Sequence, residues 1–184
     1  MAFTDTAGKW MDSAVRYMAA RGVVNGMGGE MFGPQRSMTR AEFLTMLMRV
    51  LNPEPQDAGM VQQFGDVPEN AYYYDAVLKA KALGIVTGVN GNQFNPDATI
   101  TRQDMFVMAY NAMEKMNMLP DGYTQQFVEF DDWSIVAGYA QAPLQNLAKL
   151  KLVDGSDGNV NPVHTASRAE AAQFLYNVLK WDAK

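Results

Sequence analysis

Thr39-Arg40-Ala41-Glu42, with the thirteen-residue stretch it opens ending at Leu51, decides the fold. A hydroxyl residue followed three positions later by glutamate is a capping box. The hydroxyl accepts from the third helical amide, and the carboxylate accepts from the cap amide. Behind it Phe43, Leu44, Met46, Leu47, Val50 and Leu51 form an i, i+3, i+4, i+7 stripe, the apolar face of a helix. The pattern returns as Ser167-Arg168-Ala169-Glu170 ahead of Ala171, Ala172, Phe174, Leu175, Val178 and Leu179. It returns in weaker form as Thr101-Arg102-Gln103-Asp104 ahead of Met105, Phe106, Met108, Ala109, Ala112 and Met113. The arginines recur after 62 and then 66 residues.

Working outward, other markers keep the same order around each box. Phe3-Thr4-Asp5 recurs as Phe64-Gly65-Asp66 and Phe130-Asp131-Asp132. Gly22-Val-Val-Asn-Gly26 recurs as Gly84-Ile-Val-Thr-Gly88 and Lys151-Leu-Val-Asp-Gly155, each followed by a proline (Pro34, Pro96, Pro162). Ordered recurrence at a fixed period marks a repeat architecture. Each unit reads as helix, turn-rich loop, helix. Trp10, Ala14, Met18 and Gly22 define the first helix of unit one, and Tyr72, Ala76, Ala80 and Gly84 repeat the stripe in unit two. Gly22 and Gly84 are placed to end their helices in the left-handed conformation, where Lys151 is a less favourable cap. Gly28-Gly29, Asn90-Gly91 and Asp157-Gly158 are hairpin-turn dipeptides that predict a short extended segment or tight hairpin in each loop. The second helices carry apolar faces too wide for one neighbour. The expected fold is therefore mainly α: three pseudo-threefold helix-loop-helix repeats around a central three-helix bundle. The units are 1–52, 64–114 and 130–184, joined by linkers at 53–63 and 115–129.

Composition narrows the chemistry. The 184 residues carry 15 basic and 20 acidic side chains, a net charge of −5 that disfavours nucleic-acid binding. There is no cysteine, so disulfides, thiolate metal sites and cysteine nucleophiles are excluded. His164 is the only histidine and reads as a surface-loop residue. No apolar run approaches a membrane span. Met1-Ala2-Phe3 leads into polar sequence without a signal-peptide pattern, as expected of a cytoplasmic protein or of a mature or excised piece of a secreted one. Asp154-Gly-Ser-Asp157-Gly-Asn159 superficially matches a calcium loop but lacks its terminal glutamate. No metal or cofactor is expected.

Capping explains Thr39 and Glu42 but not Arg40, Arg102 and Arg168, since a cation at the first helical position opposes the helix dipole. They pair with neighbouring acids, or each joins free helix-start amides in an anion-binding site. Asp5, Asp66 and Asp132 are N-cap or turn aspartates, or they accept from a ligand hydroxyl or partner the arginines. Trp10, Tyr72 and Tyr139 occupy equivalent positions, as core residues or as platforms for the apolar face of a sugar. The loop glycines Gly26, Gly88 and Gly155 join these as candidate ligand-site residues.

The ordered motifs resemble the S-layer homology domain family, usually found as three tandem copies. Unit two carries Phe64-Gly65-Asp66-Val67, Gly84-Ile85-Val86-Thr87-Gly88, Phe94-Asn95-Pro96 and Ile100-Thr101-Arg102. Unit one carries Thr39-Arg40-Ala41-Glu42, and unit three Phe130-Asp131-Asp132, Val160-Asn161-Pro162 and Ser167-Arg168-Ala169-Glu170. The resemblance implies a three-pronged spindle that anchors a surface protein to the bacterial cell wall, with ligand grooves between repeats. It implies an anionic secondary cell-wall polysaccharide as partner, often ending in pyruvylated N-acetylmannosamine, with Arg40, Arg102 and Arg168 as key binding residues. It further implies a secreted, cell-surface location and self-association through a passenger domain outside this sequence. Modified peptidoglycan is the alternative ligand, and a self-assembly module without a glycan site the alternative function. A glycan-cleaving enzyme using Asp5 or Glu42 is not expected.

Overall fold

The computed structural model describes residues 2–55 and 58–181; parts of the first linker (56 and 57) and the last three residues of unit three lie outside the described residues. Among the described residues six α-helices dominate: α1 (Asp12–Ala20), α2 (Arg40–Leu51), α3 (Tyr74–Ala82), α4 (Arg102–Lys115), α5 (Gly138–Lys149) and α6 (Arg168–Lys180). Short 3-10 turns at Ala58–Met60 and Trp133–Ile135 precede α3 and α5. Among the described residues the only extended pairings are isolated bridges. The fold is mainly α, as the periodicity predicts.

Local chemistry sets the helix ends. Full capping boxes start α2 and α6. At α4 the Thr101 hydroxyl accepts from the Asp104 amide and donates to its carboxylate, but the shorter aspartate does not reach back to the cap amide, so the box is incomplete. After α1, the Gly22 amide donates to Ala19 and the Val23 amide to Met18, both at 3.0 Å, a Schellman closure with Gly22 at φ 69°. Lys151 closes α5 by the same two bonds at φ 60°, a conformation unfavourable for a side chain with a Cβ. The first helices are shorter than their stripes suggest. Trp10 and Tyr72 precede α1 and α3 and are exposed, whereas Ala14, Met18 and Ala80 are buried.

The second helices meet at the centre. Phe106 of α4 and Phe174 of α6 stack edge to face with centroids 5.0 Å apart, and α2 packs on both α4 and α6. Just before these helices a closed ring of three hydrogen bonds marks the axis. The Met38 amide donates to Ala166, the Ala166 amide to Ile100, and the Ile100 amide to Met38, at 2.9–3.0 Å. All three side chains are fully buried.

The most extensive helix pairs cross unit boundaries. α3 packs on α2, α5 on α4, and α1 on α6. Each lobe thus combines the second helix of one unit with the first helix of the next, and α1 with α6 closes the circle. An edge-to-face contact of Tyr17 with Tyr176 (5.1 Å) and a 2.9 Å hydrogen bond from Asn146 to the Tyr110 hydroxyl fasten two of these pairs.

Candidate functional site

The helix-start amides are not free. The Arg40, Arg102 and Arg168 amides donate to Ala98, His164 and Arg36 in the neighbouring unit. The next amides, of Ala41, Gln103 and Ala169, donate to Pro96, Pro162 and Pro34, and the third amide is held by the cap hydroxyl. This corrects the expectation that bare backbone donors assist the arginine. The repeats lock together through those donors, so an anion can be held there only by side chains.

The arginine side chains reach across the same boundary. Nε of Arg40, Arg102 and Arg168 donates to the carbonyls of Phe94, Val160 and Phe32 at 3.0, 2.9 and 3.1 Å. Arg40 and Arg168 also lie over the Phe94 and Phe32 rings. Unit three has Val160 at that position, and Arg102 lies over Phe106 of its own helix instead. Burial pulls Arg40 and Arg168 below the ordinary guanidinium value, with Asp104 opposing the effect at Arg40 and Arg36 adding to it at Arg168. Among the described residues neither is in an ion pair, whereas Arg102 pairs with Glu170.

Asp5, Asp66 and Asp132 hold the receiving loops. Each carboxylate accepts from two successive amides: Phe32 and Gly33, Phe94 and Asn95, Val160 and Asn161, at 2.7–2.9 Å. The first residue of each pair supplies the carbonyl that the arginine uses. Burial pushes the Asp5 carboxyl up, but the Phe32 and Gly33 amides outweigh this and hold it below the ordinary value. Among the described residues these aspartates give no side-chain cap to a helix and form no ion pair with an arginine; they fix the loop that fixes the arginine. The loop glycines serve the same frame. A Cβ on Gly26, Gly88 or Gly155 would lie within 2.9 Å of the repeat-opening ring of Phe3, Phe64 or Phe130.

Beside each arginine lies a groove built from three units. Arg40 faces the loop at Gly88, the wall of α4 and Tyr139, around about 410 Å³. Arg102 faces the loop at Gly155, the wall of α6 and Trp10, around about 490 Å³. Arg168 faces the loop at Gly26, the wall of α2 and Tyr72, around about 230 Å³. Cross-unit helix pairing delivers each aromatic to a distant unit's arginine. The aromatics are not core: Trp10, Tyr72 and Tyr139 are 61%, 67% and 60% exposed. Tyr139 donates to Asp104 at 2.6 Å, and burial together with that bond pushes its hydroxyl up to about 12.

The structure therefore brings the arginines, aromatics and loop glycines together and leaves the three aspartates outside the groove linings. Sequence reasoning assigned Glu42, Asp104 and Glu170 to capping alone, yet each also lines a groove. It missed Arg49, Asn111 and Asn177, which line the far ends. Their common offset of nine residues from the repeat arginine is the signal that finds them. The sequence around Asp154 to Asn159 forms a two-residue hairpin, with Asp157 and Gly158 both at positive φ. Among the described residues no His, Asp or Glu cluster suits a metal, and no helix is long and apolar enough to cross a membrane.

The S-layer homology domain model matches three segments, residues 2–44, 63–106 and 129–172. An amylopullulanase of Thermoanaerobacterium thermosulfurigenes is 33% identical over 97% of this chain, which covers 9% of that protein. Exoglucanase XynX of Acetivibrio thermocellus is 30% identical over 97% of the chain, covering 16% of its length. S-layer protein EA1 of Bacillus anthracis is 29% identical over 92% of the chain, covering 19% of its length. The chain thus spans less than a fifth of each of these relatives.

Proposed function

Because this chain belongs to the S-layer homology domain family, in three tandem copies, we propose that it tethers a larger surface polypeptide to the bacterial cell wall. It does so by holding an anionic wall polysaccharide in its inter-repeat grooves. In this reading the sequence units 1–52, 64–114 and 130–184, with linkers at 53–63 and 115–129, supply the parts, and each groove takes one part from all three. The observation that carries the proposal is the threefold constellation of half-buried guanidinium, exposed aromatic and glycine loop.

Each component suits a sugar acid. A guanidinium anchored through Nε presents its terminal N–H groups to a carboxylate by charge-assisted hydrogen bonds; among the described residues Arg40 keeps them all, Arg168 gives one to the Asn25 carbonyl, and Arg102 shares its own with Glu170. Its desolvation is already incurred in the unliganded fold, so binding an anion relieves an existing penalty. The exposed ring offers a flat apolar surface to a pyranose face at little cost in side-chain freedom. The pyruvyl ketal of a wall polymer would supply both the carboxylate and an adjacent sugar ring. Several linked grooves on one polymer raise the overall affinity by effective concentration, with no new contact.

A tether also fits the comparisons better than a catalyst. One segment is shared by proteins named for quite different activities, and it covers a small share of each. The acids considered for glycan cleavage are engaged elsewhere: Asp5 clamps a loop, and Glu42 caps α2 and pairs with Arg36.

Calorimetry with purified wall polysaccharide tests the proposal on the wild type and on Arg40→Gln, Arg102→Gln and Arg168→Gln. Loss of a charge-assisted contact costs about 1.5–3 kcal/mol, so at least one variant should bind about tenfold or more weakly. Melting curves control for the lost carbonyl bond. Unchanged affinity in all three variants removes the arginines from recognition.

A further inference from the structure

The three grooves share a plan but not a charge. In the Arg168 groove the one lining carboxylate, Glu42, is paired by Arg36 from outside the lining. Among the described residues this leaves the Arg168 guanidinium bonded only to the carbonyls of Phe32 and Asn25. The residues at the place of Arg36 in the other units are Ala98 and His164. In the Arg102 groove Glu170 takes the arginine itself, and Asp154 adds a second carboxylate. In the Arg40 groove Asp104 faces Arg40 without a second cation in the lining.

The far ends diverge in the same sense. Nη1 of Arg49 reaches the Val23 carbonyl at 3.4 Å, and the Asn111 amide reaches the equivalent Ile85 carbonyl at the same distance. Asn177 instead accepts from Gln173. Only the Arg168 groove has a cation there, and among the described residues Arg49 forms no ion pair. Arg49 lies seven residues beyond Glu42, on the same face of α2, about 10 Å along the helix.

We infer that the Arg168 groove is the principal anion site and that Arg49 is a specificity residue that reads a second acidic group. The occupant is a glycan segment bearing two negative groups on non-adjacent sugars. This rests on the reading of the grooves as glycan sites.

Two probes test it: a pyruvylated N-acetylhexosamine methyl glycoside with one carboxylate, and a trisaccharide carrying that ketal on both end sugars. Each is titrated into wild type, Arg49→Asn, Arg168→Gln and Arg40→Gln, with the Val24 and Tyr72 amide resonances as reporters. The wild type should bind the trisaccharide about tenfold or more tightly than the monosaccharide, the range of one charge-assisted contact. Arg49→Asn should erase that preference while leaving monosaccharide affinity within about twofold. Arg168→Gln should silence both reporters, and Arg40→Gln should not. A trisaccharide preference that survives Arg49→Asn overturns the inference, as does a larger loss from Arg40→Gln than from Arg168→Gln; in either case the wider glycan reading stands. Failure of both probes to bind the wild type overturns the two together.

Discussion

A chain cut after Lys115 is expected to show no cooperative thermal transition, although it keeps units one and two entire. Tandem repeats of the solenoid kind lose a terminal unit at modest cost because each contacts only its neighbours. Here the first helix of the chain packs on the last. Removing α6 takes away the main helix partner of α1, and in or just before α1 the side chains of Met11, Val15 and Met18, all buried to within 1%, are expected to become exposed. At about 1.5–3 kcal/mol for each fully buried side chain, these three alone approach the whole stability of a typical domain, about 5–15 kcal/mol. The cut also opens the axial ring, leaving the Met38 amide without the Ala166 carbonyl and Ile100 without the Ala166 amide. Circular dichroism on heating checks the outcome. A sharp transition close to that of the full chain would show that the lobes are independent.

Gly88→Ala is the second large effect. The added Cβ would lie 2.5 Å from Cε1 of Phe64 and 2.7 Å from the Gln93 carbonyl oxygen, at a backbone φ of 87°. The ring is buried and the oxygen belongs to a bridge that closes the loop, so neither gives way cheaply. Steric overlap of about 1–3 kcal/mol adds to a left-handed backbone cost of about 1–2 kcal/mol. A loss of about 3 kcal/mol or more in urea unfolding is expected. Gly91→Ala isolates the backbone part, since it shares the φ of 87° but has nothing within 4 Å, and should cost only about 1–2 kcal/mol. Equal losses for the two variants would mean that the Phe64 contact contributes nothing.

What the sequence made legible follows from how local each signal is. Capping boxes, left-handed helix ends and hairpin dipeptides depend on a few neighbouring residues, and Thr39, Gly22 and Asp157-Gly158 are found in those roles. The apolar faces of the second helices announced burial and a central bundle. Periodicity states that a face is covered but not by what, so the pairing of α1 with α6 was beyond it. That pairing decides the sites, because it carries Trp10 from unit one to the groove of Arg102. The helix stripe that included Trp10 and Tyr72 misled for a related reason: both helices start after those residues, which frees the rings from the core. The aspartates were ambiguous because a carboxylate serves a helix end, a ligand or a loop equally well, and only the 27- to 29-residue reach to the receiving amides distinguishes them. The expected free amides at the helix starts failed because their acceptors lie in another repeat.

The central claim is that half-buried arginines in cross-repeat grooves recognise acidic groups on a wall glycan. Its most direct measurement compares calorimetric binding of purified wall polysaccharide before and after chemical reduction of its carboxylates to alcohols. Reduction leaves the sugar faces for Trp10, Tyr72 and Tyr139 but removes the charge. The account predicts that affinity falls about tenfold or more per engaged groove, and that binding to the intact polymer weakens with added salt. Equal affinity for the reduced and the intact polymer would contradict it.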